Sequence, residues 1–261
     1  DPVAPTVVLL HAFPFDRQVW DGVVDALADA GWDVVVPDLR GFGESAYGED
    51  GPDDEPSLSW MARDVLGILD RMGVSAAVFA GISMGGYVAM EIVRQDPARV
   101  AGIALVDTKA TADSEEARAN RLKVAEQVVA SGSTEALARA MVPTLLGSTT
   151  QEDRPEVVAQ VKAWIEAADP AAVAWAQRAM AVRPDSLADL ASLAVPGLVV
   201  WGVEDGMSPR AEQDLMVDAM RDARLVVITE SGHLSTVEAP EQVSDALVTF
   251  LVDVKRLPQS T

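Results

Sequence analysis

Gly81-Ile82-Ser83-Met84-Gly85 is the stretch on which the reading of this chain turns. An apolar run, Ala76-Ala77-Val78-Phe79-Ala80, leads into it, and a helical pattern, Tyr87-Val88-Ala89-Met90-Glu91-Ile92-Val93, follows. A serine between two glycines at a strand-to-helix junction is the signature of a sharp turn. Such a turn holds the hydroxyl up at the end of a sheet and at the N-terminus of a helix. It also crowds the positions two residues either side of the serine. Glycine at 81 and 85 removes that collision, and Gly86 lets the helix pack close to the strand. Five residues of this kind recur by chance, so the strand–turn–helix setting carries the weight.

Working outward, Thr6–Leu10 is a short β-branched apolar run that reads as a buried strand. Residues 32–36 form a second strand, stopped by Pro37. Residues 100–106, 197–201 and 224–229 supply three more. Between them lie helical patterns at 16–30, 59–72, 84–95 and 240–254, with Ser57 or Ser59 as a cap and Gly31 and Gly73 as stops. Strands separated by helices predict a mostly parallel sheet with right-handed crossovers. From 109 to 193 that rhythm fails, and the stretch reads as several helices broken at Gly132, Pro143, Gly147, Pro155, Pro170 and Pro184. The expected organisation is an α/β core of residues 1–108 and 194–261, with a helical cap of residues 109–193 over the carboxyl ends of the strands. Ligands of open α/β sheets bind at that end. Met141, Leu145, Leu146, Trp164, Trp175 and Met180 give the cap more apolar surface than solvated helices need. Met141, Leu145, Trp164 and Trp175 are therefore the candidate substrate-binding residues.

Composition narrows the partners. The 261 residues carry 41 acidic and 20 basic side chains, a net charge of −21, which repels nucleic acid and anionic membranes. There is no cysteine and only two histidines, His11 and His233, so neither disulfides nor a multi-histidine metal site can be built. No apolar run reaches membrane-spanning length and no leader-like pattern is present, so a cytoplasmic location is expected. A monomer or homodimer is expected.

A serine hydroxyl is a poor nucleophile until a base takes its proton and a third group orients that base. His233, after the strand at 224–229, is the candidate base. Asp205, after the strand at 197–201, is the candidate acid, with Glu204 and Asp107 as rivals. Serine, acid and histidine then fall in the order that this architecture uses. Charge developing on a substrate carbonyl oxygen needs N–H donors. Met84, next after the serine, supplies one. Phe13 in the loop His11-Ala12-Phe13-Pro14 supplies the other, since Pro14 has no N–H. His11 reads as structural, holding that loop by hydrogen bonds.

Together these residues resemble the α/β-hydrolase superfamily over nearly the whole chain. His11-Ala12-Phe13-Pro14 looks like its His-Gly-x-Pro loop, and Asp38-Leu39-Arg40-Gly41-Phe42-Gly43-Glu44-Ser45 is similar to its D-x-R-G-x-G-x-S turn. Gly81 to Gly86 matches its nucleophile elbow. Gly202-Val203-Glu204-Asp205 with Pro209, then Gly232-His233, resemble its acid and histidine loops. The resemblance selects Asp205 over Glu204 as the acid. Ala12 stands where glycine is usual, and only five residues precede the first strand. A sheet of about six strands rather than eight, or with one short extra edge strand, is expected. Serine at 83 argues against the aspartate-based epoxide and haloalkane chemistries. Epoxide opening also wants cap tyrosines, and Tyr47 and Tyr87 fall outside the cap. The resemblance implies hydrolysis of a small, largely apolar ester or lactone, without a cofactor, as in small esterases and 3-oxoadipate enol-lactonase. The alternatives are carbon–carbon hydrolysis or lyase chemistry, or perhydrolysis as in cofactor-free haloperoxidases, with the same triad. A slow-turnover small-molecule receptor is a more distant one.

Overall fold

The computed structural model describes residues 5–45 and 55–256; Tyr47 lies outside them. In chain order the first half comprises β1 (Thr6–Leu10), α1 (Asp21–Asp29), β2 (Asp33–Val35), α2 (Leu58–Met72), β3 (Ala77–Ile82), α3 (Met84–Gln95) and β4 (Val100–Val106). Six helices follow: α4 (Glu115–Ser131), α5 (Glu135–Leu145), α6 (Ser148–Asp153), α7 (Pro155–Ala167), α8 (Pro170–Ala181) and α9 (Leu187–Ser192). The chain then returns through β5 (Gly197–Gly202), α10 (Arg210–Ala219), β6 (Ala223–Ile228), α11 (Ser235–Glu238) and α12 (Pro240–Arg256).

All six strands pair in parallel, in the order β2-β1-β3-β4-β5-β6. The chain moves outward from β1 to β2, then reverses across β1 to β3. A crevice opens where the order reverses, beyond the carboxyl ends of β1 and β3. Phe13 follows β1 and Ser83 follows β3, so two of the candidate site residues flank that crevice. β1, β3 and β5 are buried along their whole length, because helices cover both faces of the sheet. α1 packs with α12, which runs under β4, β5 and β6; α3 packs on β1, β3 and β4, with α2 beside it.

Strand edges differ from the sequence expectation by a residue at β2, β5 and β6. The helix expected from residue 16 opens instead as a 3-10 turn at Arg17–Trp20, because the Asp16 carboxylate accepts the Gln18 N–H and sets that turn first. Gly132, with φ of 61°, closes α4, Pro155 and Pro170 open α7 and α8, and Gly147 precedes α6. Pro143 does not break the chain; it sits inside α5, which runs only two residues further, to Leu145. α9 packs against α3 and α10, helices that flank the sheet.

The tight turn is visible in space. A Cβ on Gly81 would run into the Gly85 carbonyl, and a Cβ on Gly85 would run into the Leu10 carbonyl at the end of β1. A Cβ on Gly86 would lie 2.7 Å from the Thr108 side chain, so this glycine clears the loop after β4 rather than β3 itself. Gly85→Ala is expected to cost about 3 kcal/mol, at the upper end of overpacking, because its obstacle is backbone. Urea unfolding checks this, and a midpoint equal to wild type would mean that the turn opens freely.

Candidate active site

Ser83 occupies φ 52°, ψ −114°, a left-handed region that a residue with a Cβ enters only under strain of about 1–3 kcal/mol. The surroundings enforce it. The Ser83 N–H donates to the Val106 carbonyl at 2.9 Å, and its own carbonyl accepts the Thr108 hydroxyl at 2.8 Å. Its Oγ therefore stands clear of β3 and lies 2.8 Å from Nε2 of His233. Nδ1 of His233 lies 2.8 Å from Oδ2 of Asp205. Asp205 is itself fixed: Oδ1 accepts the N–H groups of Met207 and Ser208, and Oδ2 accepts the Ser208 hydroxyl. With Nδ1–H donated to a carboxylate, Nε2 is left to accept the serine proton.

Electrostatics agree with that arrangement. Burial pushes the Asp205 carboxyl up, but the charge of His233 and hydrogen bonds from His233 and Ser208 outweigh it and hold the group below its ordinary range. Burial pushes His233 down, but the Asp205 carboxylate above all, with Asp107 and Glu238, raises it above 6.5.

The rival carboxylates do other things. Asp107 is fully buried and accepts the N–H of Gly202 at 2.9 Å and of Ser235 at 3.0 Å, tying together the ends of β4 and β5 and the start of α11. Burial, then the charge of Asp205, pushes it up to about 7. Glu204 accepts the Thr149 hydroxyl, the Thr149 N–H and the Ser148 hydroxyl, at 2.6, 2.9 and 3.1 Å. It clamps the start of α6 to the acid loop. Glu238, also buried, accepts the N–H groups of Gly147, Gly232 and Leu234, and the His233 N–H donates to the Leu145 carbonyl at 2.8 Å. The corner between α5 and α6 is thus fastened to the loop that carries His233.

His11 holds its loop as expected. Nδ1 donates to the Ala12 carbonyl at 2.9 Å and Nε2 accepts the Leu39 N–H at 2.8 Å. Complete burial lowers its pKa, which keeps the ring neutral in that double role. The Asp38–Ser45 turn supports it from behind. The Asp38 carboxylate accepts the Arg17 and Glu44 N–H groups, and the Ser45 hydroxyl donates to the Asp38 carbonyl. Ala12 is accommodated without a positive φ, so its Cβ brings no backbone strain. The Phe13–Pro14 bond is cis, and Phe15 N–H donates to the Ala12 carbonyl. Neither the Phe13 nor the Met84 N–H has an acceptor among the described residues. Both are available to an incoming oxygen.

A cavity of about 520 Å³ opens onto Ser83 and His233. Phe13, Leu137, Met141, Leu145, Met180 and Met207 line its apolar part. Of the four substrate-binding candidates, the structure brings Met141 and Leu145 to the cavity and leaves Trp164 and Trp175 off its wall. Trp164 stacks edge-on against Phe15 at 6.1 Å, and Trp175 is buried in the core against which the helices pack. The opposite omission is a polar wall. Asn120, Arg121, Lys123 and Gln127 of α4 face the cavity with Ala117 and Val124 among them, joined by Lys109, Asp113 and Gln177. Their spacing of three and four on a predicted helix was the signal that could have found them. Tyr87, outside the helical insert, reaches the cavity from α3, with the Arg183 guanidinium 4.2 Å over its ring. Among the described residues no group of three or more His, Cys, Asp or Glu is placed to hold a metal ion, and no helix is long and apolar enough to cross a membrane.

The chain belongs to the α/β-hydrolase fold family, whose model matches residues 5–240. A thermophilic esterase from Thermogutta terrifontis is similar at 39% identity with a TM-score of 0.90, over 96% of this chain and 90% of that one. The pimeloyl-[acyl-carrier protein] methyl ester esterase of Aeromonas hydrophila is 28% identical over 95% of each chain. The 3-oxoadipate enol-lactonase 1 of Acinetobacter baylyi is 29% identical over 97% of this chain and 90% of its own. The chain is an ester-hydrolysing enzyme of this family.

Proposed function

We propose that the enzyme hydrolyses a small carboxylic ester or lactone through an acyl-enzyme on Ser83. The observation that carries this reading is the hydrogen-bonded series Ser83 Oγ, His233, Asp205, with both links at 2.8 Å, beneath a cavity of about 520 Å³. Ser83 attacks the carbonyl carbon while His233 takes the hydroxyl proton. The tetrahedral oxyanion takes hydrogen bonds from the Phe13 and Met84 N–H groups, each contributing about 3–4 kcal/mol at the transition state. His233 returns the proton to the leaving alkoxide, which departs as alcohol or, from a lactone, stays on the acyl chain. A water then gives its proton to His233 and attacks the acyl-enzyme; the Ser83 oxygen leaves, takes that proton back from His233, and the acid is released. Asp205 stays ionised throughout and orients the imidazole. Met141 and Leu145, with Leu137 and Met180, pack against the apolar part of the acyl group.

A fluorophosphonate probe followed by peptide mass analysis tests the nucleophile. The expected adduct lies on Ser83 and is lost on prior acylation with a slow ester. Label on another residue, or ester turnover that survives full labelling elsewhere, would overturn the assignment.

The raised pKa of His233 sets the pH profile. Only the neutral imidazole accepts the Ser83 proton, and a raised pKa keeps the ring protonated to higher pH. Activity is therefore lost as pH falls through that raised value, so the acid limb of kcat/KM is expected to centre above pH 6.5. Asp107 titrates near 7 in the same cluster, and its negative charge, gained as pH rises, further favours the imidazolium. The limb is expected to be broader than a one-proton curve. A sharp limb centred at or below pH 6.5 would contradict this reading.

A further inference from the structure

The polar wall of the cavity carries more positive charge than the fold requires. Asp113 is buried, and three cations surround its single carboxylate: Arg183 at 2.8 Å, Arg121 and, at 3.5 Å, Lys109. Arg183 meets the structural need. It is itself buried, lies over the Tyr87 ring and donates to the Thr111 carbonyl at 2.8 Å. Arg121 and Lys109 are then surplus, and both line the cavity that opens onto Ser83.

Arg121 uses Nε on Asp113 and Nη1 on Gln177, which leaves no bond from Nη2 among the described residues. The Lys109 ammonium has only the long contact to Asp113 among the described residues. Lys123 adds a third positive charge to the lining, and Asn120 and Gln127 add neutral amide donors. Among the described residues Asp113 is the one carboxylate in that lining. In a chain with 41 acidic and 20 basic residues, a cavity wall with three bases to one acid runs against the composition. A cleft lined by one sign of charge concentrates ligands of the other sign. A guanidinium with free N–H groups and a neighbouring ammonium suit a carboxylate.

We infer that the substrate hydrolysed at Ser83 carries an ionised carboxylate besides its ester or lactone group, and that Arg121 and Lys109 bind it. This rests on the acyl-enzyme reading for its chemistry, but the charge recognition can be measured apart from it. The apolar lining by Met141 and Leu145 holds the carbon chain, and the basic wall takes its charged end.

The test compares matched esters on the full chain. Monomethyl adipate against dimethyl adipate places the charge on the acyl side; 4-acetoxybutyrate against butyl acetate places it on the alcohol side. For at least one pair the wild-type enzyme is expected to favour the anionic ester in kcat/KM, chiefly through KM, with the preference shrinking as salt is added. Lys109→Gln and Arg121→Gln are each expected to reduce the anionic-to-neutral ratio about tenfold. Lys109→Gln leaves the Arg121–Asp113–Arg183 grouping whole, so it decides the matter if Arg121→Gln fails to fold. Equal turnover of anionic and neutral esters in both pairs, with ratios unmoved by Lys109→Gln, overturns the inference and leaves the hydrolytic reading standing. If the wild type hydrolyses none of the four esters, nor p-nitrophenyl acetate or a γ-lactone, it is the hydrolytic reading that fails. Calorimetric titration with monomethyl adipate and 4-acetoxybutyrate then decides the inference: binding that weakens in Lys109→Gln supports it, and no binding overturns it.

Discussion

Ester turnover by Ser83→Ala is expected to fall by about 10⁶-fold in kcat, as when the nucleophile of a serine triad is removed. The residual rate should be the part that oxyanion binding and substrate positioning support alone, on the order of 10³–10⁴ over water. The fold should tolerate the change, because the bonds that hold this residue in its turn are made by its backbone: N–H to Val106 and carbonyl from Thr108. The side chain gives its one hydrogen bond to His233. Hydrolysis of p-nitrophenyl acetate or butyrate measures the effect, with the melting curve as control. A folded Ser83→Ala protein that keeps more than about a hundredth of wild-type kcat would place the nucleophile elsewhere.

Asp205→Ala is expected to lower kcat by about 10⁴-fold, and neither Glu204→Ala nor Asp107→Ala should approach that. The three carboxylates sit close together in the fold but hold different partners. Asp205 touches the imidazole at 2.8 Å and sets which nitrogen carries the proton. Glu204 grips Ser148 and Thr149, so its loss should loosen the start of α6 and appear mainly in KM. Asp107 accepts two buried N–H groups, and truncation orphans both, at about 1–3 kcal/mol each. Its loss should therefore appear in the unfolding midpoint. Steady-state kinetics and denaturant titration on the three variants separate these outcomes. A larger kcat loss at 204 or 107 than at 205 would reassign the acid.

Much of this was legible in the residues. A run of apolar strands each followed by a helix left few topologies open, and the glycines about Ser83 had a steric reason that the structure bears out at Gly81 and Gly85. The serine, histidine and carboxylate that the structure brings together were legible because each sits at the end of a strand, where local pattern and chain order both report. The cavity wall was not legible in the same way. Which face of α4 turns inward depends on how it packs against α8, and its inward face carries the polar Asn120, Arg121 and Gln127, which no apolar periodicity marks. The tryptophans misled for the converse reason. Large apolar side chains signal burial, but Trp175 is buried and Trp164 half-buried in packing away from Ser83. The role of Glu204 needed the position of Thr149, some fifty residues away in the chain.

The fastening of the α5–α6 corner bears on how this enzyme can diversify. Leu145 and Thr149 share hydrogen bonds with the loops of the base and the acid, and Gly147 bonds Glu238, which holds the base's loop, whereas no bond from α4 reaches either loop among the described residues. Variation on α4 can therefore retailor what is accepted while the reacting groups stay in register, and variation at the corner cannot. A library at 117, 120, 124 and 127 should yield many folded, active clones with altered preferences, where one at 145–149 should yield mostly inactive ones.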